Sequence, residues 1–324
     1  MTDRKTSWRH VLVVVDEDGQ SKLPELAETL RKVSDAEWTA LAVVEPLREA
    51  GRLRRMLGPP AGELDALRRE ALDTRLAPWR ATPTMNVVVR EGRPLVEVVR
   101  MVQEGPYDLV LKSADVHRDG GARFLGSLDQ HLLRKCPAPV WLHRPPAPGP
   151  TGSVLAAVDV DLDAAADPAA LDALNRSILA QARSVALSLG AALHVVHVWD
   201  APAEQLLTRW SPGRETVERY VADVEAECWR RLGALIDGTK RDAPLAIDIR
   251  PHLRRGDPRD EIPALAELLG ARLVVLGTVA RAGIPGLLIG NTAEDLIHSL
   301  DTALLAIKPA DFVSPIDPAA PRGA

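Results

Sequence analysis

The chain has 324 residues, 46% hydrophobic and 26% charged, with a formal net charge of -5. That is enough for one or two buried cores, and two compact units are expected. Acidic and basic residues are mixed along the chain without the concentrated basic surface that holds nucleic acid, so nucleic-acid binding is not expected.

The only cysteines, Cys136 and Cys228, are far apart and lack metal-ligand spacing, as in a protein of a reducing compartment. The first apolar run, residues 11–15, ends at Asp16 and is too short for a signal-peptide core. Nothing approaches the ~20 apolar residues of a membrane span. The expectation is a cytoplasmic protein with neither a metal site nor a membrane partner.

In chain order, short apolar runs predict strands at residues 11–15, 39–44, 86–90, 109–112 and 139–143, separated by helical segments. Leu23, Leu26, Leu30 and Val33 mark the first helical face, Leu64, Leu67, Leu72, Leu76 and Trp79 roughly follow the second, and Leu95, Val98, Val99 and Val102 mark the third. A short fourth helix is predicted over 128–134. The order then repeats, with strands at 154–158, 193–199, 245–250, 273–276 and 303–308. Between the halves, RPPAPGPTG (144–152) stops regular structure. The domains are thus 1–146 and 152–310, with a tail over 311–324. Each half reads as a doubly wound α/β unit, a Rossmann-like parallel sheet whose ligands belong beyond the carboxyl ends of the strands. Both first strands end in aspartate, Asp16 and Asp159, positioned either to accept hydrogen bonds from a sugar or base or to serve as a turn or cap.

The stretch GTVARAGIPGLLIGNTAEDL, residues 277–296, follows the strand at 273–276 into that crevice. Glycines there would let the backbone approach a phosphate, with the amides opening the helix after Gly290 as donors. Equally, Asn291 with Glu294 three residues on reads as a capping-box variant satisfying the same amides.

With these segments, DLVLK (108–112), HLLRKCPAPVW (131–141), VVLGTVARAGI (274–284) and GNTAEDLI (290–297), the chain resembles the universal stress protein family, in its tandem E-type form, over nearly its full length. That resemblance implies a G-x2-G-x9-G-[ST] phosphate loop for ATP, with Mg. Here Gly277 and Gly290 match, Ala280 replaces the middle glycine, Asn291 replaces Ser or Thr, and Thr292 offers a hydroxyl one residue later. By the same resemblance, Asp159 and Val198 would lie near the base or ribose. In the first half, Lys112 stands at the position of Gly277, Gly126 and Ser127 imitate the end of the motif, and Gly120 and Gly121 keep the loop pliable. Lys112 is expected to fill or guard a crevice that does not take ATP. The resemblance also implies pairing of the two halves through their last strands, covering two open sheet edges, and a possible homodimer.

Other residues have structural explanations. His194 and His197, three apart on a strand, point to opposite faces and cannot share an ion; His10, His117 and His252 have no better claim. Cys136 reads as a small packed residue before the last strand. Asp257 followed by Pro258 reads as a helix start. The segments 46–60, with Arg48, Arg52, Arg54 and Arg55, and the one holding Leu206, Leu207 and Trp210 both follow second strands, as lids over the crevice or as helices packed on their own domain. No nucleophile motif, zinc signature or Walker lysine motif is present. The expected function is binding, of a small-molecule ligand or a protein partner, without turnover. An ATP-dependent switch in the second half and a nucleotide-hydrolysing enzyme are the alternatives.

Overall fold

The computed structural model describes residues 8–15, 23–31, 34–45, 61–119, 122–144, 152–210, 213–242, 247–278 and 290–318. They form two compact units, one built on Trp8–His117, Leu125–His143 and residues 313–318, the other on Arg144–Phe312, with which Arg118–Phe124 also groups.

In chain order the first half runs β1 (His10–Val14), α1 (Leu23–Arg31), β2 (Glu37–Val44), α2 (Ala61–Arg80), β3 (Met85–Glu91), α3 (Pro94–Glu104), β4 (Leu109–Ser113), the pair β5 (Val116–Asp119) and β6 (Ala122–Leu125), α4 (Ser127–Lys135) and β7 (Val140–His143). Its main strands lie in the order β3-β2-β1-β4-β7, all parallel. The second unit runs β8 (Ser153–Ala157), α5 (Pro168–Leu189), β9 (Leu193–Trp199), α6 (Glu204–Trp210), α7 (Arg214–Asp242), β10 (Ile249–Arg255), α8 (Pro258–Leu268), β11 (Ala271–Gly277), α9 (Asn291–Ser299) and β12 (Ala303–Ile307). Its order, β10-β9-β8-β11-β12, is the same, again all parallel.

Parallel strands covered on both faces read as continuous apolar runs. Val11 to Val14 of β1 and Leu273 to Leu276 of β11 are buried throughout, whereas β3, at one end of its order, alternates in exposure. Helix boundaries follow local chemistry. Asp167 opens α5 by accepting from the Ala170 amide at 3.0 Å, and Gly190, in the left-handed region at φ 62°, ends it. Asp257 opens α8 as the sequence suggests, its Oδ1 accepting from the Arg259 amide at 2.8 Å with Pro258 next.

Two elements differ from expectation. The strand expected over 245–250 is found at Ile249–Arg255, running through Pro251. Among the described residues it pairs only with β9, and an end strand tolerates a missing N–H. The β5–β6 pair falls where a loop was expected, and its intervening Gly120 and Gly121 lie outside the described residues.

Candidate functional site

At the carboxyl edge of the second unit, β8 and β11 are neighbours, with Leu276 beside Ala157. The chain leaves β8 into a turn at Asp159 that is held from both sides by one buried side chain. Asn175 of α5 accepts from the Asp159 amide at 3.1 Å and donates to its carbonyl at 2.7 Å. The Asp159 carboxylate accepts from the Asp161 amide at 3.2 Å and lies 3.9 Å from Nδ1 of His197. Val198 is buried in β9.

Across the edge, Gly277 ends β11. A Cβ there would lie 2.8 Å from Cδ2 of Leu174 and 3.3 Å from Cδ1 of Ile178, so this glycine admits α5 against the strand. Thr278 is buried; its amide donates to the Ile307 carbonyl at 3.1 Å, and its own carbonyl accepts from the Gly290 amide at 3.2 Å. Gly290, at φ -60° and ψ 144°, is the N-cap of α9, which corrects the Asn291–Glu294 capping box. Asn291 is the first helical residue, one position too late to cap, and Gly290 has no side chain to cap with. The first-turn amides of α9, which a helix leaves without intrahelical acceptors, therefore begin at Asn291 and Thr292. Ala280 and the side chains of Asn291 and Thr292 lie outside the described residues.

Beside the Asp159 turn is a cleft of about 380 Å³ between α5 and α7, lined in part by Val160, Asp163, Asn175, Arg176, Arg231 and Thr239. Its charges answer one another. Arg231 reaches Glu227 and Asp163, each at 2.6 Å, and donates to the Val160 carbonyl at 3.4 Å, tying α7 to the turn. Hydrogen bonds from Arg230 and Arg231 hold the Glu227 carboxyl down at about 2, while burial pushes the nearby Cys228 thiol up.

The first unit treats the same edge differently. The matching runs VLVVVD and VLAAVD make Val14 the counterpart of Ala157. Val14 is paired with Lys112, and Ala157 with Leu276. Lys112 therefore stands where the second repeat has Leu276, and Ser113 takes the place of Gly277, thirteen positions before Gly126 as Gly277 is before Gly290. This corrects the equivalence of Lys112 with Gly277, because strand register shifts the two runs by one. Lys112 is buried, 2.9 Å from Asp129 of α4, and donates to the Ser113 carbonyl at 2.8 Å. Asp129 is the counterpart of Ala293 and also accepts from the Asp115 amide at 2.6 Å. Burial raises its pKa; Lys112 and that amide oppose the rise. Gly126 caps α4 and Ser127 is its exposed first residue. A Cβ on Gly126 would lie 2.5 Å from Oδ2 of Asp115, so the protein's own carboxylate sits against this helix start. Asp16 lies outside the described residues.

His194 and His197 diverge as expected. His197 turns toward the Asp159 loop, and His194 meets His252, Nδ1 to Nε2, at 2.7 Å. Cys136 is buried and ends α4. Of the two lid segments, α6 packs on α7 and leaves Trp210 78% and Leu206 48% exposed, while residues 46–60 lie outside the described residues. Sequence reasoning missed Asn175, Asp129, Asp115 and Arg231. Asn175 alone carried a usable signal, a polar residue on the buried face of a helix. Among the described residues, no group of three or more His, Cys, Asp or Glu could hold a metal ion, and no helix is long and apolar enough to cross a membrane.

The family profile described as "Universal stress protein family" matches this chain twice, over residues 7–144 and 152–308. The chain belongs to the universal stress protein family. Universal stress protein E from Salmonella typhi and from Escherichia coli K12 are each 31% identical to it over 231 residues, 71% of this chain and 70% of theirs. Among solved structures, a functionally unknown protein from Pseudomonas aeruginosa PAO1 is similar at TM-score 0.64 and 24% identity, covering 94% of each chain. A universal stress protein from Archaeoglobus fulgidus is similar at TM-score 0.57 and 18% identity, covering 92% of this chain and 98% of that one. These similarities establish a tandem universal stress protein whose repeats share one Rossmann-like fold.

Proposed function

We propose that this universal stress protein acts by binding, without turnover, and that its second repeat takes a nucleotide of the ATP class. The supporting observation is the pairing, at the ends of adjacent strands β8 and β11, of the Asp159 turn with a helix start that has glycine as its N-cap. The α9 amides and dipole suit a phosphate, and several donors acting together are needed, because the dipole alone is worth about 0.3 to 2 kcal/mol. Gly277, Ala280, Gly290, Asn291 and Thr292 would border the phosphates, with Asp159 and Val198 toward the ribose or base. ATP would arrive with Mg and supply the charged polyphosphate. The residues fit that group in the second repeat better than in the first, where Asp115 and the Lys112–Asp129 pair occupy the corresponding edge.

The test is native mass spectrometry of freshly purified protein, then of protein given Mg-ATP, with identification of any released molecule. Binding of about one ATP per chain at micromolar affinity, roughly -8 kcal/mol, is expected, and Gly290→Trp should abolish it. Unchanged binding in that variant removes the site from the second repeat. Sustained phosphate release by purified protein would replace the binding reading with an enzymatic one.

A further inference from the structure

The two repeats carry the same device between their third strand and the next helix: Arg90, Gly92, Pro94 and Glu97 in one, Arg254, Gly256, Pro258 and Glu261 in the other. Arg90 lies 3.5 Å from Glu97, and Arg254 lies 3.0 Å from Glu261. Gly92 and Gly256 are both in the left-handed region, at φ 154° and 147°, where a Cβ would run into the same glutamate. So far the device belongs to the fold.

Three and six residues beyond that glutamate the repeats part. The second repeat has Ala264 and Glu267, both exposed. The first has Arg100 and Gln103 on α3, and Arg100 is only 2% exposed. The C-terminal segment accounts for the difference. Arg100 donates through Nε to the Pro318 carbonyl at 2.9 Å and through a terminal nitrogen to Glu97 at 2.5 Å, while Gln103 donates to the Ile316 carbonyl at 3.0 Å. Two side chains one helical turn apart thus read two main-chain carbonyls two residues apart, on a segment that bends at Pro315 and Ile316.

We propose that this face of α3 is a receptor for a bent, proline-containing segment, and that its resident occupant is the chain's own segment 313–318. The segment suits such a seat. Pro315 and Pro318 have carbonyls to offer but no N–H to leave unmatched, and their fixed φ lowers the entropy lost on docking. The Ile316 amide is satisfied within the segment by Oγ of Ser314 at 3.2 Å. Just before it, Lys308 lies 4.6 Å from the centre of the Phe312 ring, fixing where the segment departs. Recognition runs through main-chain carbonyls, so the face would also take a segment of like chemistry from another chain once the resident one is displaced.

Hydrogen exchange of the full-length protein, read on peptides spanning 312–318, tests this. The Ile316 amide, bonded to Oγ of Ser314, should exchange several-fold more slowly than in a free peptide of the same sequence, because anchoring the Ile316 and Pro318 carbonyls holds that local turn closed. Arg100→Lys with Gln103→Leu keeps a cation beside Glu97, removes the Gln103 contact and breaks the guanidinium fork that holds Glu97 and the Pro318 carbonyl together. It should release that protection while α3, whose amides bond within the helix, stays protected. Glu267→Ala, at the counterpart position in the second repeat, should leave the segment unaffected. Free-peptide exchange in the wild type, or undiminished protection in the double variant, would overturn the proposal. Protection that falls on dilution would also overturn it, by placing the occupant on a second copy.

Discussion

The ion pair between Lys112 and Asp129 permits a prediction with its own control in the same chain. Both side chains are buried and 2.9 Å apart, and Asp129 also accepts from the Asp115 amide. Asp129→Ala leaves a buried ammonium without its carboxylate, a change that costs about 3 to 5 kcal/mol, with the freed amide adding to it. The double variant Lys112→Leu with Asp129→Ala installs the Leu276 and Ala293 of the second repeat, which are 3% and 8% exposed at the same places. Apolar replacement of a buried pair is often neutral or stabilising by about 1 to 4 kcal/mol. The double variant should therefore recover to within about 1 kcal/mol of wild type, or exceed it. A double-mutant cycle in urea, read by hydrogen exchange on β4 and α4 so that the first unit reports separately, measures the coupling. If the two single losses simply add, the side chains do not act as a pair and the substitution argument fails.

Two further outcomes follow from the same geometry. Burial pushes the His143 imidazole down to about 4, below its ordinary 6.5, so its contribution to stability is fully present above pH 6.5 and is lost as pH falls toward 4. The loss is on the order of 3 kcal/mol, and His143→Ile, the residue at the counterpart position Ile307, should flatten the slope of urea stability between pH 4 and 6.5; an unchanged slope would assign it to other groups. Gly277→Ala should destabilise the second unit by about 1 to 3 kcal/mol, because the new methyl meets Leu174 at 2.8 Å; a melting temperature equal to wild type would show that α5 gives way, and Leu174→Val should relieve the cost.

The succession of strands along the chain was legible because two-sided burial leaves an unmistakable apolar run, as in residues 109–112 and 273–276, and because proline and glycine at 144–152 separate two such series. The start of α8 was legible because Asp257 and Pro258 state it chemically. Pro251 hid β10, since a proline reads as an interruption until the strand is known to lie at an end of its sheet. The β5–β6 pair was missed although Asp119, Gly120 and Gly121 have hairpin chemistry, because no apolar alternation flanks them. At the site, the glycines could be counted but not interpreted. Gly277 faces α5, whereas Gly290 sets a helix start, and only register reveals that Ser113, not Lys112, takes the place of Gly277. Asp129 could not be singled out, because an acid in a first helical turn is ordinary chemistry there.

The repeats share a backbone plan, so each supplies the control for the other. What both possess belongs to the fold: the Arg–Gly–Pro–Glu device before α3 and α8 and the glycine caps Gly126 and Gly290 are in this class. What only one possesses needs a separate cause. Lys112, Asp115 and Asp129 close the edge of the first repeat with the protein's own charges, and Arg100 with Gln103 exists only where the C-terminal segment is seated. The first repeat has thus committed two of its surfaces to internal groups. The second repeat keeps a glycine-capped helix start beside the Asp159 turn and has exposed Ala264 and Glu267 in place of a tail receptor. On the proposed reading, a chain with one closed and one open repeat takes a single nucleotide. Its stoichiometry should be one per chain, and a measured value of two would show that the Lys112–Asp129 pair opens to admit ligand.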